Sequence, residues 1–201
     1  MNIRIVAIYG SPRKEGNTSR LLREAVRGMK DAGGKIEEFF LRDMQIKPCM
    51  EIYGCKETGR CVIQDDFHII ADAIDKADGI ALASPVFFYT VSAHTKAFMD
   101  RCQSFWVRKY WIDRVPFGSR NDRRFGLFIS VGATRGQKLF DGVLLTVRYF
   151  LDAVDATLWK SLLYRGLDGP DDVLKVPAYL EEAYETGKEF VEFIRSRKES
   201  P

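Results

Sequence analysis

Short apolar runs alternate with amphipathic stripes along the chain. Ile3-Arg4-Ile5-Val6-Ala7-Ile8-Tyr9 is mostly apolar and β-branched and reads as a strand. Leu21, Leu22, Ala25, Val26 and Met29 follow at helical spacing, and Gly33-Gly34 ends that helix. Lys35 to Leu41 reads as a second strand, and Asp65-Asp66 caps a short helix carrying Ile69, Ile70, Ala73 and Ile74. Gly79-Ile80-Ala81-Leu82-Ala83-Ser84 is continuously apolar, as in a strand buried on both faces of a parallel sheet. A helix is expected from about Val91 to Ser104, with Val91, Phe98 and Cys102 inward. Phe125 to Val131 reads as a fourth strand. Leu139, Phe140, Val143, Leu144, Val147, Phe150, Leu151 and Val154 form the clearest helical stripe. A fifth strand lies within Ala156 to Tyr164, and Pro177 opens a last helix with Leu180, Ala183, Tyr184, Val191 and Ile194 inward. This alternation predicts an α/β fold, a parallel sheet covered on both sides.

Two stretches break the alternation. Asp43 to Gln64 has no period and holds Cys49, Cys55 and Cys61; structureless connections of this length are usually functional. Phe105 to Arg124 carries Trp106, Trp111 and several basic residues and reads as an insertion. The 201 residues show no repeat, so one domain over 1–195 is expected, followed by a charged tail, 196–201, that frays. A formal charge of +3 does not point to nucleic acid or an anionic membrane. No run approaches the roughly 20 apolar residues of a membrane span. Met1-Asn2-Ile3-Arg4 runs straight into the first strand with no signal peptide visible, so a cytoplasmic protein is expected. In a reducing compartment, clustered cysteines favour a metal or redox role over a structural disulfide. His68 and His94, the only two histidines, read as ordinary helix residues.

Candidate chemistry gathers where strands end. Gly10-Ser11-Pro12-Arg13-Lys14-Glu15-Gly16-Asn17-Thr18-Ser19 joins the first strand to the first helix, the place where an α/β domain presents backbone N–H groups to phosphate. Its glycines, six apart, fail the dinucleotide spacing, and no Gly-Lys-Ser/Thr completes a Walker loop. Ser11, Asn17, Thr18 and Ser19 with Arg13 nearby suit a terminal monophosphate. The competing reading is that Asn17 or Thr18 caps the helix. After the third strand, Ser84-Pro85-Val86-Phe87-Phe88-Tyr89-Thr90 packs three aromatics into one turn, so at least one is expected against a flat ligand or a partner subunit. Gly132-Ala133-Thr134-Arg135-Gly136 follows the fourth strand, and its small residues let backbone N–H groups approach a ring.

On Gly10-Ser11-Pro12-Arg13…Gly16-Asn17-Thr18, the chain resembles the flavodoxin-like NADPH-dependent FMN reductases, in particular their iron–sulfur flavoprotein branch. Ser84-Pro85-Val86-Phe87, Lys96-Ala97-Phe98-Met99-Asp100-Arg101 and Cys55…Thr58-Gly59-Arg60-Cys61-Val62…Asp65-Asp66 carry the resemblance further, over about residues 3 to 165. It implies a doubly wound, five-stranded flavodoxin-like sheet holding FMN at the first, third and fourth strand ends. Ser11, Arg13, Asn17, Thr18 and Ser19 match positions around the phosphate, Pro85, Val86, Phe87, Phe88 and Tyr89 the loop along the isoalloxazine, and Gly132, Ala133 and Thr134 the loop by its pyrimidine side. Lys96, Asp100 and Arg101 read as a structural charge set.

The cysteine loop departs from the branch. The iron–sulfur flavoproteins resemble a Cys-x2-Cys-x2-Cys-x5-Cys pattern, whose four thiolates hold a cubane. With Cys61 on the last ligand and Cys55 and Cys49 on the third and first, the second falls on Ile52, which cannot ligate iron. A loop without a cluster is expected, three thiolates being able to hold only a labile one; Cys102 reads as a buried apolar residue. The resemblance implies an oxidoreductase in which NADPH or NADH gives hydride to FMN, with no side-chain acid or base. Gly132 to Thr134 would stabilise negative charge at the pyrimidine edge. Phe87, Phe88 or Tyr89, with Trp106 or Trp111 of a second subunit, would frame the open face in a homodimer or homotetramer. Quinone, flavin, nitro compound and metal ion remain open as acceptors. The rivals are a non-enzymatic flavoprotein electron carrier, with or without a cluster, and a flavin-free scaffold, against which Ser11, Arg13, Asn17 and Thr18 argue.

Overall fold

The computed structural model describes residues 2–119 and 123–199. Five strands form one sheet: β1 (Arg4–Tyr9), β2 (Lys35–Phe40), β3 (Gly79–Ala83), β4 (Arg124–Gly132) and β5 (Ala156–Arg165). All neighbours are parallel, in the order β2-β1-β3-β4-β5. This is the flavodoxin-like order, whose direction reverses between β1 and β3. Ile5 pairs with Gly79 and Tyr9 with Ala83 across that switch.

The near-continuous apolar character of β1, β3 and β4 has a simple cause: alternate side chains enter two separate cores. Val6, Ile8, Ile80, Leu82 and Phe128 pack on one face under α3 (Phe67–Lys76), α4 (Ala93–Arg101) and α6 (Asp141–Ala153). Ile5, Ala7, Tyr9, Ala81, Leu127 and Ile129 pack on the other, under α1 (Asn17–Asp31) and α7 (Pro177–Glu199). The α/β architecture with helices on both faces is as expected.

Three details differ from the sequence-based elements. The helix expected over 91–104 comprises α4, then α5 (Gln103–Val107) and a π-helical turn, Arg108–Ile112. Residues 105–112, read as the start of an insertion, therefore belong to the helical layer; Phe105 and Val107 are buried, and the Lys109 ammonium is buried between Asp152 and Asp155. The tail expected to fray is helical to Glu199, because Arg195 donates to Ala32 O (2.8 Å) and Lys198 pairs with Asp78; residues 200–201 lie outside the described residues. The fourth strand starts at Arg124, whose buried guanidinium donates to Ala77 O (3.1 Å), Val154 O (2.9 Å) and Asp75 O (3.1 Å). One side chain thereby satisfies carbonyls at the C-terminal ends of α3 and α6. Burial lowers the Arg124 pKa to about 10.

Candidate functional site

Four loops meet beyond the carboxyl ends of the strands, and buried hydroxyls lock three of them together. Ser92 caps α4, its Oγ accepting from Thr95 N (3.3 Å) and donating to Gly10 O (2.5 Å). Ser84 Oγ accepts from Ser92 N (2.9 Å), and Ser130 Oγ donates to Ser84 O (2.7 Å). The ends of β1, β3 and β4 are thus fixed relative to one another below the surface, where such networks are strongest. Gly10 is required by this packing: a Cβ there would fall 2.0 Å from Thr95 Oγ1 and 2.8 Å from Ala83 O.

Above the network, α1 begins at Asn17 with Gly16 as its N-cap. No side chain caps this end and no acidic residue lies in its first turn. The first helical bond runs from Arg20 N to Gly16 O (3.0 Å), so the N–H groups of Asn17, Thr18 and Ser19 precede the ladder. Asn17, Thr18 and Ser19 are buried residues, and a buried helix end with unpaired donors needs an acceptor from outside the helix. The competing reading, in which Asn17 or Thr18 caps the helix, does not hold. Ser11 Oγ accepts from Arg13 N (3.1 Å), which leaves its own proton to donate. Gly16 keeps the loop open, since a Cβ would lie 2.9 Å from Ser11 Oγ.

Ser11, Arg13, Asn17, Thr18, Pro85, Val86, Phe87, Gly132 and Ala133 line one cleft of about 160 Å³. The structure thus brings nine of the sequence-selected residues together. Four others stand apart. Ser19 Oγ turns back to Arg13 O (3.1 Å) and closes the loop. Phe88 and Tyr89 form the tip of a tight turn closed by paired Phe87–Thr90 bonds (2.9 and 3.1 Å); both are exposed to solvent and neither lines the cleft. Their φ values of 49° and 61° place two aromatics in the left-handed region. Thr134 is exposed beyond the cleft. Asn17 reaches the cleft edge, but its amide is occupied: Nδ2 donates to Gly169 O (2.8 Å) and Oδ1 accepts from Val173 N (3.1 Å).

Those two bonds hold a fourth loop, which places Leu167 and Asp168 in the cleft and which the sequence reading missed. Its signal was present as the turn cluster Gly166-Leu167-Asp168-Gly169-Pro170 after a strand. Arg13 and Thr18 make no side-chain hydrogen bond or ion pair among the described residues. An uncapped helix start, a free guanidinium and two hydroxyls make a donor set suited to a phosphate monoester.

The cysteine loop leaves the sheet after β2, makes one helical turn, α2 (Cys55–Thr58), where no regular structure was expected, and is held against α4 by Arg101. Arg101, read as part of a structural charge set, is its centre. The guanidinium pairs bidentately with Asp65 (2.7 and 3.1 Å) and donates to Lys47 O (2.9 Å), Ile63 O (2.9 Å) and Cys61 Sγ (3.0 Å). Asp65 and Asp66 therefore do more than start α3: they also receive Lys47 N (2.9 Å) and Gln45 N (2.7 Å). Burial alone would raise the Asp65 carboxyl, but Arg101 and the N–H groups of Lys47 and Phe67 outweigh it and hold it below the usual range. Burial, with Cys61 and Cys49 nearby, pushes the Cys55 thiol up. Cys102 is buried, as expected. Among the described residues, no three Cys, His, Asp or Glu side chains are grouped to hold a metal ion.

The model of the NADPH-dependent FMN reductase family matches residues 3–156. The chain belongs to this family. Within it, the chain is 40% identical over 133 residues to an iron-sulfur flavoprotein of Methanocaldococcus jannaschii, covering 66% of this chain and 64% of that one. It is 34% identical over 152 residues to an iron-sulfur flavoprotein of Archaeoglobus fulgidus, covering 75% and 73%. The match thus spans slightly under two thirds of the first relative's own length. An NAD(P)H:quinone oxidoreductase from Methanothermobacter marburgensis shares the fold, with a TM-score of 0.72 at 17% identity over 94% of this chain and 96% of that one. Within the family the chain stands on the iron–sulfur flavoprotein branch, and the phosphate-ready cleft fits the FMN that the family name implies. The three-thiol loop does not supply a four-thiolate cubane. Among the described residues, no helix is long and apolar enough to cross a membrane.

Proposed function

We propose that this protein is a cytoplasmic oxidoreductase that binds FMN in the cleft and carries electrons from NAD(P)H to a small acceptor: a quinone, flavin, nitro compound or metal ion. The uncapped start of α1, opening beside the unpaired Arg13 and Thr18, carries this reading. Bound FMN would supply the hydride-accepting chemistry. Arg13, Ser11, Thr18 and the first-turn N–H groups of α1 would bind the phosphate. Pro85, Val86 and Phe87 would border the ring. The backbone at Gly132 and Ala133 would lie by its polar edge, where donors stabilise developing negative charge. Asp168, which also lines the cleft, would keep close to the cofactor's hydroxyl-bearing chain.

The outer side of α6 fits a homodimer or homotetramer. Leu145 and Tyr149 are exposed one turn apart, and Gly142 on the same helix abuts Tyr89, whose turn exposes Phe88. A contiguous apolar patch beside a cleft is a usual subunit contact.

The test is an anaerobic absorption spectrum of the purified chain before and after NADPH. Flavin bands that bleach are expected. Bands that persist would make the protein a carrier, and a colourless chain that takes up no added FMN would remove both flavin functions.

A further inference from the structure

The cysteine loop is the second chemistry-bearing element, and its donors disagree with the cluster in the names of its relatives. A cubane is held by four cysteine thiolates. This loop offers three, with Ile52 at the spacing of the second, and an isoleucine has no electron pair to give a metal. The three thiols lie near one another, Cys61 and Cys49 both close enough to add to the rise that burial gives the Cys55 thiol, yet among the described residues they are not grouped to hold a metal ion. Cys49 and Cys55 line a cavity of about 800 Å³ walled by Tyr53, Trp106 and Trp111, whereas Cys61 faces a void of about 10 Å³ beside Phe67 and His68.

The loop is nonetheless closed. A guanidinium has five N–H donors, and Arg101 makes five bonds. Lys47 O lies ahead of the cysteines in the chain; Cys61 Sγ, Ile63 O and Asp65 lie at their end. One buried side chain from α4 ties entry to exit, which is the crosslink a bound metal supplies in a metal-dependent loop. With the Arg101 side chain 0% and Asp65 5% exposed, the tie is shielded from water and salt.

We propose that this loop is an iron-free form of the iron–sulfur loop, held closed by the Arg101 fork alone, with Cys61 as a hydrogen-bond acceptor rather than a metal ligand. Arg101 is a positioning residue, and Cys49 and Cys55 are free thiols on the aromatic-walled cavity. This holds whether or not FMN occupies the cleft, so iron and flavin are counted separately in one sample.

The experiment uses the full chain, purified anaerobically and incubated with ferrous iron and sulfide. Iron and acid-labile sulfide far below one per chain are expected, whereas Ile52→Cys treated identically gains about four of each. Stoichiometric iron and sulfide in the unaltered chain would overturn the proposal, and an iron-free Ile52→Cys would overturn the assignment of position 52 as the missing ligand. Timed alkylation with peptide mapping reads the clamp without iron. Cys61 should react at least about tenfold more slowly than Cys49, and Arg101→Lys, which cannot make the five-bond fork, should remove most of that difference. Equal rates in the unaltered chain would refute the clamp. Cys61→Ser, which keeps an acceptor for Arg101, is expected to retain the loop's resistance to proteolysis; rapid nicking between residues 47 and 65 would count against the acceptor role.

Discussion

Arg13 and Asn17 sit four residues apart, one in the loop and one opening α1, and do different work. Arg13 is a free cation at the cleft, so Arg13→Ala should weaken FMN binding by about tenfold or more, as loss of a charge-assisted hydrogen bond does. Fluorescence titration with FMN measures it, and thermal stability of the flavin-free chain should hardly move. Asn17→Ala should do the reverse in part. It strands Val173 N and Gly169 O, and should lower stability by about 1–3 kcal/mol in denaturant unfolding of the flavin-free chain. Gly10→Ala drives a methyl into Thr95 and Ala83 O, a site with no room to yield, and should cost on the order of 1–3 kcal/mol. The motif shows that these residues belong together; which of them is spoken for depends on partners more than 150 positions away in the chain.

At the scale of elements, the turn after β3 and the cysteine loop are built differently. The turn keeps Phe88 and Tyr89 in a left-handed conformation that costs on the order of 1–3 kcal/mol each in non-glycine residues. Phe88→Gly is therefore expected to raise the melting temperature of the flavin-free chain while impairing assembly or turnover; a lower melting temperature would show that the aromatic is seated against the protein itself. The cysteine loop depends on one buried ion pair. Asp65→Asn leaves Arg101 buried without its counter-charge and should cost about 3–5 kcal/mol. The pair also dictates an acid limit. Asp65 is held below its unfolded value, so its contribution is complete above the unfolded pKa of about 3.9 and is lost as pH falls through the lower folded one. Limited proteolysis of the loop should stay slow from neutral pH down to about 4 and accelerate below it, and Asp65→Asn should be cut quickly throughout.

For the whole molecule, the unpartnered side of α6 is the feature a single chain leaves unexplained. Leu145→Glu combined with Tyr149→Glu should shift the protein to monomers in light scattering while leaving its circular dichroism intact, because both side chains project away from the core. A monomer before substitution would remove that interface. The sheet and its helical layers were legible in advance because a parallel sheet covered on both faces demands unbroken apolar strands and one-sided helices, and β1, β3, α1 and α6 obey that demand residue by residue. The helical residues 105–112 were not: Arg108 and Lys109 read as basic residues of an insertion until Asp75, Asp152 and Asp155 arrive from distant elements to neutralise them. By itself, then, the amino-acid order determined the five strands, most of the helices and the three-loop convergence at the switch point, since each follows from local pattern and spacing; the missing fourth thiol followed from the resemblance to the iron–sulfur flavoproteins. Only the tertiary structure decided that Asn17 holds the β5 loop instead of presenting its amide to a ligand, that Asp168 joins the cleft, and that Arg101 closes the cysteine loop. Those roles are set by which buried donors and acceptors the fold brings within hydrogen-bond reach, and local pattern carries no information about that pairing.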